Sequence, residues 1–99
     1  MKNLKILLAA FSVMLFSANL YAVEYQHGYC HVRQTAPDVC QNVKGYRVMG
    51  SAIGNTHDDC TTAKNAARDN LIRSRRMQAA PAVCRDHIDC GGPCETVGG

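Results

Sequence analysis

Six cysteines restrict the fold of this chain more than any other feature of its sequence. All of them follow residue 29 of a 99-residue chain, at Cys30, Cys40, Cys60, Cys84, Cys90 and Cys94. An even number of cysteines in a short exported chain predicts a disulfide framework, and disulfides persist in oxidising compartments. The prediction of three disulfides therefore depends on whether the chain is exported.

The first 22 residues have the organisation of a secretory signal peptide. Lys2 and Lys5 give a basic start, an apolar run extends from Ile6 to Phe16, and small residues lead to Ala22. The run is too short for a bilayer span, which needs roughly 20 apolar residues. We expect cleavage after Ala22, an exported product in the periplasm or the medium, and no membrane span.

Residues 23–99 are expected to form one small disulfide-rich domain. Both phenylalanines lie in the leader and the chain has no tryptophan, so few large apolar side chains remain for a core. Small domains of this kind depend on covalent cross-links. Without Lys2 and Lys5, nine basic side chains face eight acidic ones. This near-neutral balance argues against nucleic acid as a partner, and no motif indicates a cofactor.

The sequence pattern predicts two strands, one long helix and an irregular tail. Apolar and polar residues alternate over 23–34 and over 43–53, and Gly50 inside the second strand indicates a bulge or a close approach of backbone. Asn55 or Thr56 can cap a helix over about 57–80, whose apolar stripe is Cys60, Ala63, Ala67 and Leu71. The tail from Pro81 lacks periodicity. The fold class is therefore a small, disulfide-stapled α+β domain: a short antiparallel sheet packed by one long helix, with an irregular Cys-rich C-terminal tail.

Chain geometry restricts the disulfide pairing without fixing it. A continuous helix carries Cys60 too far from Cys84 for a bond between them. Cys30 and Cys40 flank the turn at Pro37 and can pair across it. The favoured pairing is Cys30–Cys40, Cys60–Cys94 and Cys84–Cys90, and Cys30–Cys60 also remains open.

Two clusters suggest chemistry beyond binding. The spacing of Cys84, His87, Cys90 and Cys94 offers four zinc ligands within eleven residues, although disulfide formation competes for the same sulfurs. A small metal-binding protein is thus the alternative function. A small hydrolase or nuclease is a third, because His27, His31, His57 and His87 could supply general acid and base groups. No nucleophile motif accompanies them.

The leading prediction is a non-enzymatic, exported binding module, such as an inhibitor, an immunity-type partner or a secreted interaction factor. On the predicted helix, Lys64, Arg68 and Arg75 project in similar directions and form a basic stripe. This stripe predicts a protein partner or an anionic surface ligand. A second candidate surface lies on the first strand, where Tyr25, Tyr29, His31 and Arg33 are residue types that interfaces favour.

Overall fold

The computed structural model describes residues 23–98, so the signal peptide predicted for residues 1–22 lies outside the described part. The strands are β1 (Glu24–Val32), β2 (Arg47–Ile53), β3 (Ile88–Asp89) and β4 (Glu95–Gly98), and the α-helices are α1 (His57–Arg73) and α2 (Arg75–Ala79). Two 3-10 helices span Asp38–Cys40 and Ala82–His87. This is the small α+β fold with one main helix and an antiparallel sheet that the sequence predicts.

The sheet is built around β1, and every pairing in it is antiparallel. On one side β1 pairs with β2 along the whole of β2, from Tyr25 opposite Ile53 to His31 opposite Arg47. On its other side it pairs with β4 near its start and with β3 near its end. Residues 88–98 thus supply two short strands where the sequence pattern predicted an irregular tail.

A bulge fixes the start of β2. Gly45 has a φ of +76°, which disfavours any residue with a Cβ, and its N–H donates to the carbonyl of Val32 at 2.8 Å. The N–H of Val32 in turn donates to the carbonyl of Tyr46 at 3.1 Å. Gly45 and Tyr46 together therefore oppose the single residue Val32, which is the arrangement of a β-bulge. The alternation of the sequence predicted a strand from Val43. Because of the bulge, the strand begins at Arg47 instead. Val43 is instead buried in the turn.

Helix α1 begins at a capping box formed by Thr56 and Asp59. The backbone N–H of Asp59 donates to the Thr56 hydroxyl oxygen at 3.2 Å, and the N–H of Thr56 donates to the Asp59 carboxylate at 3.0 Å. Hydrogen bonds from the Thr56 hydroxyl and then from its backbone N–H hold the pKa of Asp59 below its ordinary value. A lowered carboxyl pKa stabilises the fold above the pKa of the unfolded chain, and that contribution is lost as the pH falls through the lowered value.

Replacing Thr56 with Ala should therefore raise the pKa of Asp59 toward its ordinary value, since the Thr56 hydroxyl is the main cause of the shift. Carboxyl chemical shifts followed by NMR through an acid titration measure it. Thr62→Ala is the matched control, because the Thr62 hydroxyl donates to the backbone carbonyl of Asp58 and not to Asp59. An unchanged Asp59 titration in Thr56→Ala would contradict the cap.

The helix packs on one face of the sheet at very short range. A Cβ at Gly50 would overlap the backbone of Ala63 and Ala67, and one at Gly28 would lie 2.7 Å from the backbone nitrogen of Lys64. The two glycines are paired across β1 and β2. They form the smooth surface that the predicted stripe of small helix residues contacts, and Ala63, Ala67 and Leu71 are fully buried there.

Ser74 interrupts the helix predicted over 57–80. Its backbone is extended, with φ −61° and ψ 151°, and it is both the C-cap of α1 and the N-cap of α2. Its hydroxyl donates to the carbonyl of Leu71 at 2.7 Å and accepts from the N–H of Met77 at 3.3 Å. One serine therefore satisfies backbone groups of two helix ends. After this break Met77 turns into the core.

Three disulfides cross-link the chain: Cys30–Cys90, Cys40–Cys84 and Cys60–Cys94. The predicted Cys60–Cys94 bond is confirmed, whereas the predicted Cys30–Cys40 and Cys84–Cys90 bonds are wrong. The cause is β3, whose pairing with β1 continues into a position where Cys30 faces Cys90, with Cα atoms 4.2 Å apart. Cys84 lies before β3 and Cys90 directly after it. Because β3 is extended, it keeps these two cysteines apart.

Candidate functional site

The two faces of the sheet differ in what covers them. Even-numbered residues of β1 point toward α1, and Gln26, Gly28, Cys30 and Val32 are buried there. Odd-numbered residues of β1 point to the opposite face, on which no element of residues 23–98 packs in a comparable way. We call this surface the open face; its members are Tyr25, His27, Tyr29, His31, Arg47, Met49, Ser51, Ile53, Asp89, Glu95 and Val97.

The strand register arranges the open face in rows. Tyr25 lies between Ile53 and Val97 and forms an apolar row. The following row is polar, with His27 between Ser51 and Glu95. Tyr29 beside Met49 forms a third row, and the last consists of Arg47, His31 and Asp89. Apolar and charged groups thus alternate along a surface about four rows long, spaced by roughly 7 Å.

Half of the exposed large apolar side chains of residues 23–98 lie on this surface. Tyr25, Met49 and Ile53 are 37%, 43% and 66% exposed, and they are three of the six large hydrophobic residues exposed in the described chain. The others are Val23, Val39 and Val83. Several exposed apolar side chains on one face indicate a contact surface more than the same side chains scattered singly do.

A cleft of about 480 Å³ opens at one end of the open face. Its floor includes Tyr29 and His31, and residues 92–95 form one wall. The cleft exists because the chain leaves the sheet between β3 and β4, so the middle of β1 has no neighbouring strand on that side. The Cys30–Cys90 and Cys60–Cys94 bonds hold both ends of the departing loop.

Arg47 supplies the positive charge of this cleft. Its guanidinium lies over the ring of Tyr29, with its central carbon 3.7 Å from the ring centre. This cation–π contact orients the guanidinium without using its N–H groups against a carboxylate. In residues 23–98 no carboxylate lies within 4.0 Å of it. Arg47 therefore presents hydrogen-bond donors that a ligand carboxylate can accept.

The two acidic groups beside the cleft each lie close to a neighbouring group. The Asp89 carboxylate accepts from the N–H of Gly91 at 2.8 Å and so shapes the turn that follows β3. Glu95 lies 3.8 Å from Nδ1 of His27, which makes an ion pair only when that histidine is protonated. Arg47 is exposed and, in residues 23–98, has no carboxylate within 4.0 Å of its guanidinium.

The structure separates the members of the predicted basic stripe. Lys64 and Arg68 lie on α1, where Lys64 is half-buried and Arg68 is exposed. Arg75 is exposed on α2, after the break at Ser74, so the angular projection that grouped it with Lys64 assumed a helix that is not continuous. The stripe remains a prediction for Lys64 and Arg68, with Arg75 on a neighbouring element.

The second surface named from the sequence fits the open face better. Tyr25, Tyr29 and His31 lie together on it, whereas Arg33 follows the end of β1 and its N–H donates to the carbonyl of His87. Sequence reasoning missed Arg47, Met49 and Asp89 as members of this site. Strand alternation could place Arg47 and Met49 on one face, but only the register shows which β1 residues they adjoin.

The residues of the two other candidate functions are dispersed. Cys84, Cys90 and Cys94 belong to three different disulfides, so their sulfurs are not thiolate ligands. In the described part of the chain, no group of His, Cys, Asp and Glu has the arrangement to hold a metal ion. His27 and His31 share a face but lie about 13 Å apart along β1, too far to act on one proton.

No protein-family model, no curated protein and no solved structure matches the chain. Within residues 23–98, no helix is long and apolar enough to cross a membrane. The chemistry of the open face is therefore what indicates a function, because function resides in the site and not in the fold class.

Proposed function

We propose that this protein is an exported, disulfide-stabilised binding module whose partner is another protein, bound at the open face. The observation that carries the proposal is the exposure of Tyr25, Met49 and Ile53 on the same sheet face as Arg47. Tyr, Met and Arg are enriched at protein interfaces. A strand surface cross-linked by disulfides also stays rigid, which lowers the entropy lost on binding.

Export is supported by two independent features. Residues 1–22 have the pattern of a signal peptide, and the three disulfides of the remaining chain suit an oxidising compartment. A partner protein is then met in the periplasm or in the medium.

The charge of the open face defines the chemistry of the partner. Arg47 at the cleft has no carboxylate partner in the described chain, whereas Asp89 and Glu95 have neighbours of their own. The complementary surface is therefore apolar opposite Tyr25 and Ile53, with an Asp or Glu side chain that reaches the Arg47 guanidinium. Bidentate pairing of guanidinium and carboxylate gives such a contact its specificity.

The experiment begins with photo-cross-linking from position 25. A benzophenone amino acid in place of Tyr25 should capture the partner in the source cells, and the same group at Asn65, an exposed residue of α1, should not. Mass spectrometry identifies the captured protein. Affinity measurements with that purified partner then decide which surface binds it.

Arg47→Glu is expected to weaken the partner complex by about 30-fold or more, because interface arginines are frequent hot spots. Arg68→Glu makes the same charge change on the predicted stripe and should leave the dissociation constant nearly unchanged. Isothermal titration calorimetry at two salt concentrations measures both. Near-UV circular dichroism establishes that each variant keeps its fold.

Two outcomes would refute the open face as the contact surface. One is unchanged affinity of Arg47→Glu for the captured partner. The other is loss of binding in the triple variant Lys64→Glu, Arg68→Glu, Arg75→Glu while Arg47→Glu still binds, which would assign the contact to the basic stripe.

A further inference from the structure

Within residues 23–98, strand β2 is an edge of the sheet, and its outward backbone groups are mostly without hydrogen-bond partners. Gly54, just after the strand, donates its N–H to the carbonyl of Glu24. The backbone N–H and C=O groups of the even-numbered β2 residues therefore point toward β1. The carbonyl of Met49 points the other way, where it accepts from Nδ2 of Asn70 at 3.1 Å. Hydrogen bonding alternates along an antiparallel pair. The outward N–H and C=O groups are thus those of Arg47, Met49, Ser51 and Ile53.

Beyond Arg47 and the bulge before it, this edge lacks the devices that keep sheet edges from pairing. Residues 48–53 contain no charge and no proline, and natural edges are commonly blocked by either. Asn70 covers one carbonyl, which can still accept a second hydrogen bond. The opposite edge differs, because β3 and β4 have only two and four residues and two disulfides hold the loop between them.

We propose that two copies of this chain associate by antiparallel pairing of their β2 strands about a two-fold axis at Ser51. In this register Met49 lies opposite Ile53 of the second copy, on both sides of the axis. Met49 of each copy thus covers Ile53 of the other, and about six backbone hydrogen bonds form between the two strands. The self-complementarity of the strand selects a second copy over an unrelated strand.

Apolar contact favours the axis at Ser51 over one at Met49. With the axis at Ser51, the exposed side chains of both Met49 and both Ile53 residues are covered, and the two Arg47 Cα atoms are about 27 Å apart along the joined strands. With the axis at Met49 only the two Met49 side chains would cover each other, each Arg47 would lie opposite a Ser51, and the Arg47 Cα atoms would be about 14 Å apart. Pairing at Ser51 joins two four-stranded sheets into one and sets two open faces side by side.

Sedimentation equilibrium of the exported protein, purified with its disulfides formed, tests the pairing from low micromolar to near-millimolar concentration. The wild type is expected to dimerise. Ser51→Pro removes an outward N–H without disturbing the β1 ladder, because proline is accepted on an edge strand. It should weaken the dimer by about 30-fold, since two symmetric hydrogen bonds are lost. Ser51→Ala keeps the N–H and should dimerise like the wild type.

A second substitution pair guards against misfolding of the proline variant. Ile53→Lys places a charge beside each Met49 of the second copy and should also weaken the dimer, whereas Val83→Lys changes an exposed valine away from β2 and should not. A wild type that stays monomeric at every concentration would overturn the proposal. So would folded Ser51→Pro or Ile53→Lys protein that associates as tightly as the wild type. No partner protein is present, so the result is independent of the proposed function.

Discussion

Replacing Cys30 and Cys90 together with Ala is expected to lower the free energy of unfolding by about 4 kcal/mol. The bond joins residues 60 positions apart, and a cross-link over a loop of this length restricts the unfolded chain by about that amount in the loop-entropy account. Cys30 is also fully buried, so the change leaves a small cavity. Urea denaturation followed by circular dichroism measures the loss, which approaches the whole stability of a small domain.

The double variant Cys60→Ala, Cys94→Ala is the matched control. Its loop is shorter, at 34 positions, and neither cysteine is fully buried. It should therefore lose somewhat less stability, at a similar order of magnitude. A Cys30→Ala, Cys90→Ala protein with the urea midpoint of the wild type would contradict the prediction.

The single variant Cys30→Ala tests the connectivity itself. With Cys30–Cys90 as the native bond, alkylation of the folded protein followed by peptide mapping should label Cys90. Labelling of Cys40 instead would restore the pairing that the turn at Pro37 suggested.

The predicted Cys30–Cys40 bond is wrong because the observed pairing of Cys30 depends on two residues with no sequence signal. Ile88 and Asp89 form a strand too short to show alternation, in a segment without periodicity. Yet their register against β1 decides that Cys30 faces Cys90. The Cys60–Cys94 bond was predictable because it depended only on the helix start and on the length of chain available to return to it.

The helix shows the same division between local and tertiary signals. Thr56 was predictable as one of two candidate caps, with Asn55, because a small hydroxyl residue with an acid three positions later is a local pattern. The break at Ser74 was not, because no glycine or proline marks it and its two hydrogen bonds depend on Met77 turning into the core. The prediction of the basic stripe assumed one continuous helix through that break.

The candidate site was predictable to the extent that it depends on alternation. Tyr25, Tyr29 and His31 fall on one face of any extended strand. Arg47 joins them only through the register of β2, and its position over Tyr29 depends on the bulge at Gly45 that sets where β2 begins.

Gly50→Ala is expected to destabilise the protein by about 3 kcal/mol or more, although it adds one methyl group. The new Cβ would overlap the backbone of Ala63 and Ala67, and a backbone cannot move aside as a flexible side chain can. Overpacking of well-packed sites costs about 1–3 kcal/mol where side chains absorb it. Here α1 as a whole must move away from β2, which loosens the contact that buries Leu71.

Gly98→Ala separates this effect from the intrinsic preference of strands for alanine over glycine. Gly98 also lies in a strand, but a Cβ there meets nothing within 4 Å. Its unfolding midpoint in urea should stay close to that of the wild type or rise slightly, since glycine in a strand costs conformational entropy. If Gly50→Ala matched Gly98→Ala, the helix could not lie directly on β2. The open face would then lose its rigid support, because the same strand presents Arg47, Met49 and Ile53 on its other side.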